Sequence, residues 1–139
     1  MREEIYSKLE DLKKYVQYLN SYRSHSREEL RENYTLRGAV ERYLQLALEC
    51  ILDIGEMIIS REGFRKPETY REVIEIVGEK GILPTEFAEK FAPSMGFRNI
   101  LVHRYAEVDL DDLYQHLQDD LEDFNIFAKC VAKYLEEKK

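Results

Sequence analysis

The stretch DLDDLYQHLQDDLEDFNIFAKCVAKYLE, residues 109–136, decides the fold class. Its positions 110, 114, 117, 121, 124, 128, 131 and 135 are apolar or aromatic and alternate in steps of four and three. That spacing draws one stripe down a single α-helix. Asp109 stands directly before it as an N-cap, and further aspartates fall in the first turn, where the helix dipole favours negative charge. A helix running over about 110–136 needs other apolar faces to cover that stripe, and the remainder of the chain supplies them.

Residues 3–22 place Ile5, Leu9, Leu12, Val16 and Leu19 in a second 4-3-4-3 stripe. Ser26-Arg27-Glu28-Glu29 has the form of a capping box and opens a short helix over about 27–32. Thr35 is expected to cap a long helix over about 36–60. Its apolar residues, from Leu36 and Val40 to Ile58 and Ile59, cover more than one face. Such a helix is either central or shared with a partner subunit. Thr69-Tyr70-Arg71-Glu72 resembles another capping box and starts a short helix through Val77, and Gly78 to Leu83 forms a turn. Pro84 suits the first position of a helix reaching Ala92. Pro93 interrupts that helix, and Ser94 restarts one that runs into residues 98–105. Strand alternation with hairpin chemistry is absent. The expectation is an all-α protein, an antiparallel four- to five-helix bundle, with residues 1–139 as one domain.

Composition narrows the function classes. No apolar run approaches the roughly 20 residues needed to cross a bilayer, and Met1-Arg2-Glu3-Glu4 does not open a signal peptide. A cytoplasmic protein without a membrane partner is expected. Cys50 and Cys130, each among apolar neighbours, fit buried thiols in a reducing compartment, and neither a zinc site nor a glycine-rich phosphate loop is written in the chain. No metal and no cofactor are expected. A net charge of −7 argues against nucleic acid bound over the whole surface, though not against a local basic cleft. The run from Asp109 to Asp123 holds 7 acidic residues and no Lys or Arg, and reads as a solvated face. Arg61, Arg65 and Lys66 form a basic loop, either for RNA phosphates or for solubility. His25 and His116 read as surface residues.

Against that acidic background, Arg98-Asn99-Ile100-Leu101-Val102-His103-Arg104-Tyr105 stands out. Ile100, Leu101 and Val102 are expected to be buried and to hold the polar groups on either side. Histidine moves protons near neutral pH, and arginine is a fixed donor to a phosphate or a developing oxyanion. Together they match metal-free RNA cleavage, in which a base helps a 2′-hydroxyl attack the adjacent phosphate. Residues five apart on an ideal helix differ by roughly 140°, so Arg98 and His103 share a face only if the helix unwinds near His103. One copy also supplies one imidazole; a symmetric dimer would bring two. A structural reading stays open beside the catalytic one. His103 could satisfy helix-end carbonyls, and Arg98 could pair with a carboxylate.

These residues match R-x-x-x-x-H-x-Y, and the chain here resembles the HepT-like ribonuclease toxins of the HEPN superfamily. Val40-Glu41-Arg42-Tyr43-Leu44-Gln45-Leu46-Ala47, continuing to Asp53-Ile54-Gly55, is similar to the family's long second helix, and the likeness spans nearly the full length. The resemblance implies a homodimeric HEPN-like bundle, able to join a larger hetero-oligomer, with Arg98 and His103 of each subunit lining a cleft. It implies a metal-independent endoribonuclease, the toxin of a type VII toxin–antitoxin pair, acting on RNA. The partner is an MNT-type nucleotidyltransferase antitoxin, which silences the toxin by AMPylation of Tyr105. Asn99 matches the polar position after the arginine. Arg104 occupies a variable position, and its supporting role is inferred from its charge alone. The rival is a catalytically silent HEPN module that binds a nucleotide or a nucleotidyltransferase through the same cleft.

Overall fold

A computed structural model describes residues 2–104 and 108–138, and among them there is no β-strand. The helices are α1 (Arg2–Tyr22), α2 (Arg27–Glu32), α3 (Tyr34–Glu62), α4 (Tyr70–Glu79), α5 (Thr85–Phe91), α6 (Gly96–His103) and α7 (Leu110–Glu137). A 3₁₀ turn, Ala92–Met95, joins α5 to α6.

Local chemistry sets the helix ends. Ser26 forms the full capping box with Glu29, and Asp109 caps α7 by accepting from the amides of Asp111 and Asp112. The expected cap at Thr35 is displaced to Asn33. Its extended backbone lets Oδ1 accept from Leu36 N at 3.0 Å, while its own amide bonds Glu29 O and closes α2. One residue thus ends one helix and starts the next. Thr69 caps α4, but Glu72 bonds the amide of Glu68 instead of closing the box. Pro84 is the N-cap of α5, one residue before the expected position. Gly63 ends α3 at φ 71°, a left-handed conformation that glycine adopts without steric cost.

Long-range pairs give the directions of the long helices. Lys8 meets Asp53 while Tyr22 stacks on Tyr43, so α1 and α3 are antiparallel. Tyr6 meets Glu136 while Arg23 bonds Gln118 O, so α1 and α7 are antiparallel as well. It follows that α3 and α7 run the same way, and α4 to α6 carry the chain back between them. The core forms where the apolar stripes converge, with Leu44, Leu48, Ile51, Ile54 and Ile58 of α3 facing Leu117, Phe124, Phe127 and Val131 of α7 and their neighbours. Phe91 lies against Phe124 and Phe127 with ring centroids 6.1 Å apart in both cases. Truncating such a buried phenylalanine costs about 3–5 kcal/mol.

Helix α3 is central. It packs on α1, α2, α4, α6 and α7, so its broad apolar surface is accounted for within one chain. Close approach to α4 depends on Gly55, where an added Cβ would lie 2.4 Å from Val73 Cγ1.

Two surface assignments are corrected by the packing. Asp120 and Asp123, expected on a solvated face, are buried, because α7 is covered here by the α5–α6 segment. His116 is half-buried: its ring stacks on Phe97 at 4.0 Å, and Nδ1 lies 2.5 Å from Asp120 Oδ2. The Phe97–His116 stack ties α6 to α7. His25 does sit at the surface, paired with Glu29. Cys50 is buried and Cys130 half-buried, both as free thiols. No helix among the described residues is long and apolar enough to cross a membrane.

Candidate active site

Helix α6 is short because it is bounded on both sides. Pro93 restricts the chain to a 3₁₀ turn before it, and Arg104 leaves helical geometry at φ −132° and ψ 33°. Its core face is Phe97 and Leu101, one turn apart and both buried. Ile100 and Val102, expected to be buried with Leu101, are only half-buried. A single helix of eight residues packed on one side cannot bury three consecutive positions, which spread over roughly 200° of its circumference.

Stepping about 100° per residue from that core face places Arg98, Val102, Asn99 and His103, in that order, around the outward arc. Asn99 and His103 are one turn apart and both exposed. Arg98 and His103 therefore stand at the two edges of one surface, with Val102 and Asn99 between them. Among the described residues no hydrogen bond or ion pair joins Arg98 to His103. The helix ends at His103 itself, so unwinding does not bring the two side chains together.

Arg98 is held from two directions. Its Nη1 donates to the Tyr70 hydroxyl at 3.1 Å, and its Cζ lies 5.3 Å from the centroid of the Tyr70 ring, within cation–π range. Its Nε lies 3.7 Å from Glu49 Oε1, which also accepts from Gln45 Nε2 at 2.7 Å. The Arg98 side chain is 20% exposed. Restrained in this way it keeps further N–H donors for an incoming anion, and orienting it costs little at the moment of binding. Asn99 Oδ1 lies 3.5 Å from Arg98 Nη1, which leaves its amide NH₂ to act as a donor.

His103 closes the last turn of α6 and is exposed. Arg104 is exposed and donates its amide to Ile100 O at 3.0 Å. Tyr105 lies outside the described residues. The basic loop is partly spent on structure: Arg65 bridges Glu72 and Glu79, and Arg61 lies over the Tyr134 ring. Where α7 meets α5, burial pushes the Asp123 carboxyl above its ordinary value, with Lys90 at 3.7 Å pulling it back.

Sequence reading missed Glu49, Tyr70 and the His116–Asp120 pair. Glu49 lies within the stretch that resembles the family's second helix, but a glutamate on a long helix is indistinguishable from a solvating one. Tyr70 is 28 residues from Arg98, a pairing that only the packing of α4 beside α6 creates.

A family described as "Ribonuclease HepT-like" matches residues 6–131. The tRNA nuclease HepT of Aphanizomenon flos-aquae is 28% identical over 131 residues, covering 94% of this chain and 89% of that protein. The mRNA nuclease HepT of Shewanella oneidensis is 26% identical over 103 residues, 74% of this chain and 77% of that one. The fold superposes on a tri-AMPylated Shewanella oneidensis HEPN toxin solved in complex with an MNT antitoxin. The TM-score is 0.84 at 23% identity, covering 96% of this chain and 99% of that one. With the family matched over almost the whole length, and its R-x-x-x-x-H motif placed along one outward arc of α6, the chain belongs to the HepT-like ribonucleases.

Proposed function

We propose that this protein is a metal-independent endoribonuclease, the toxin of a type VII pair, and that its site forms where the outward arc of α6 faces the same arc of a second copy. One observation carries the reading. Arg98 is restrained by Glu49 and Tyr70 on the arc that also presents an exposed histidine, and a half-buried valine lies between them on that arc. A restrained arginine and a free imidazole are what phosphoryl transfer needs. Val102, apolar and half-exposed amid polar neighbours, supports a partner subunit covering the arc. This replaces the apolar breadth of α3 as the reason for a dimer.

In that cleft Arg98 binds the scissile phosphate and stabilises the charge that builds on its oxygens. One His103 accepts the proton of the 2′-hydroxyl as its oxygen bonds to phosphorus. The P–O5′ bond breaks, and the second His103 donates a proton to the leaving oxygen. The products are a 2′,3′-cyclic phosphate and a 5′-hydroxyl. Asn99 is a supporting polar contact beside Arg98, and Arg104 contributes a further donor to the RNA backbone. The names of the relatives, nucleases of tRNA and of mRNA, support an RNA substrate and a cytoplasmic site of action. The AMPylated neighbour with its MNT antitoxin supports a nucleotidyltransferase partner for this chain. Modification of Tyr105 by that partner would add phosphate charge and bulk beside the cleft and block RNA entry.

Subunit mixing tests the composite site. Arg98→Ala and His103→Ala are each expected to be inactive on RNA, and wild type refolded with excess His103→Ala should lose activity per wild-type subunit, because a mixed dimer holds only one of the two His103 imidazoles that the reaction uses. Inactivity of a clean wild-type preparation would instead support the silent binding module. Full activity in either single variant would remove its residue from the mechanism.

A further inference from the structure

Beside Arg98, between α3, α4 and α6, lies an open hollow of about 420 Å³ whose wall includes Tyr70, Pro67, Val73, Glu56 and Asn99. This volume falls within the range of small-ligand pockets, about 300–1,000 Å³. Tyr70 belongs to the hollow and to the Arg98 restraint at once: its hydroxyl and ring hold the guanidinium while the same side chain borders the cavity. A nucleotide whose phosphate rests on Arg98 therefore has this hollow within reach of its base. We infer that the hollow is a nucleobase subsite matched to guanine. The inference rests on the nuclease reading for the phosphate at Arg98, and on the cavity's own chemistry for the base.

That chemistry points away from the RNA backbone as occupant. Glu56 is exposed, lines the hollow, and has no hydrogen bond or ion pair among the described residues. A free carboxylate repels phosphate and accepts from N–H groups. Guanine presents N1–H and the N2 amino group side by side, a pair that one carboxylate can accept in bidentate fashion. Its O6, on the same edge, suits the amide NH₂ of Asn99. Uracil has one N–H flanked by two carbonyl oxygens, which would meet the Glu56 charge unfavourably. Adenine and cytosine each offer a single amino group on that edge. Tyr70 and Pro67 provide flat apolar surface for the ring faces, where base–aromatic contact is favourable for any base. Glu56 and Pro67 also border a second hollow, with Phe64 and Lys66, so a path continues for the next nucleotide with an aromatic ring and a cation along it.

The test uses the full chain and two readouts. Guanosine, adenosine, cytidine and uridine 3′-monophosphates are titrated by NMR into wild type, Glu56→Gln and the distant surface variant Glu122→Gln. Guanosine 3′-monophosphate is expected to bind wild type and Glu122→Gln roughly tenfold more tightly than uridine 3′-monophosphate, within the discrimination of a bidentate side-chain–base pair. The Asn99 side-chain amide signals should shift on binding, and Glu56→Gln should lose the margin. In parallel, cut positions are mapped on a random-sequence RNA pool, where guanosine next to the cut should be enriched by wild type and not by Glu56→Gln. Equal affinity for the four nucleotides, or a guanosine margin kept in Glu56→Gln, overturns the subsite. RNA cleavage with no dependence on Glu56 in either readout overturns it while leaving the nuclease reading intact. A Glu56-dependent guanosine margin without RNA cleavage upholds the subsite and removes the nuclease reading instead.

Discussion

Replacing Gly55 with alanine sets two known effects against each other. In a helix interior alanine is favoured over glycine by about 1 kcal/mol. The added Cβ, however, would stand 2.4 Å from Val73 Cγ1, at least 1.0 Å inside the 3.4 Å where ordinary contact begins. Val73 is β-branched, and turning it off its rotamer costs about 0.5–1.5 kcal/mol. Otherwise α4 must withdraw by about that 1 Å, which loosens Ile74, Ile76 and Val77, all fully or almost fully buried. Overpacking of this kind costs about 1–3 kcal/mol, and a clash this deep belongs in the upper half of the range. The overpacking term wins, for a net loss of about 1–2 kcal/mol. Gly38 is the control: it is also inside α3, and nothing lies within 4 Å of its added Cβ. Gly38→Ala should gain up to about 1 kcal/mol. Urea melts at one fixed protein concentration measure both, since association shifts apparent stability. Because α4 also carries Tyr70, Gly55→Ala should loosen Arg98 and slow RNA cleavage as well. Stability of Gly55→Ala equal to or above that of Gly38→Ala would refute the close α3–α4 approach.

Three further outcomes follow from the same contacts. Glu49→Gln keeps an acceptor for Gln45 but removes the charge beside Arg98, so kcat on RNA should fall by about tenfold, or about 1.4 kcal/mol of barrier, with the melting temperature little changed. Asp123→Asn should stabilise the fold by up to about 1 kcal/mol near pH 7. Because burial raises this carboxyl in the folded state, its ionised form weakens the fold as pH rises, and the gain should vanish below the ordinary aspartate value of 3.8 in pH-dependent melts. Burial pushes the Cys50 thiol up to about 11, against the opposing pull of Lys8. Peptide mass mapping after iodoacetamide near pH 8 should find Cys130 alkylated and Cys50 unmodified until urea unfolds the chain.

The long helices were legible because their stripes repeat over many turns, as from Leu110 to Leu135, and a repeated period outweighs any single residue. Ser26 and Asp109 were legible because a cap is a local bond within three residues. Asn33 was not, since Asn-Tyr-Thr offers two polar capping residues two positions apart, and only the end of α2 decides between them. The motif itself was visible as chemistry, whereas its geometry depends on packing. Ile100 and Val102 are as apolar as Leu101, and which of them is buried depends on how α6 lies on α3. Asp123 and His116 looked solvated because what covers them, Lys90 and Phe97, comes from other elements; His116 and Asp120 are one turn apart on α7, but their spacing alone does not show that the pair is covered. Glu49 and Tyr70 were invisible for the same reason: each reaches Arg98 from another helix.

The most direct measurement is RNA cleavage in excess EDTA by the wild type, Arg98→Ala and His103→Ala, with the new ends identified by mass spectrometry. Cleavage by the wild type alone, leaving 2′,3′-cyclic phosphate and 5′-hydroxyl ends, is expected of a metal-independent site built from Arg98 and His103. Equal cleavage by His103→Ala, or cleavage by the wild type that EDTA abolishes, would contradict it.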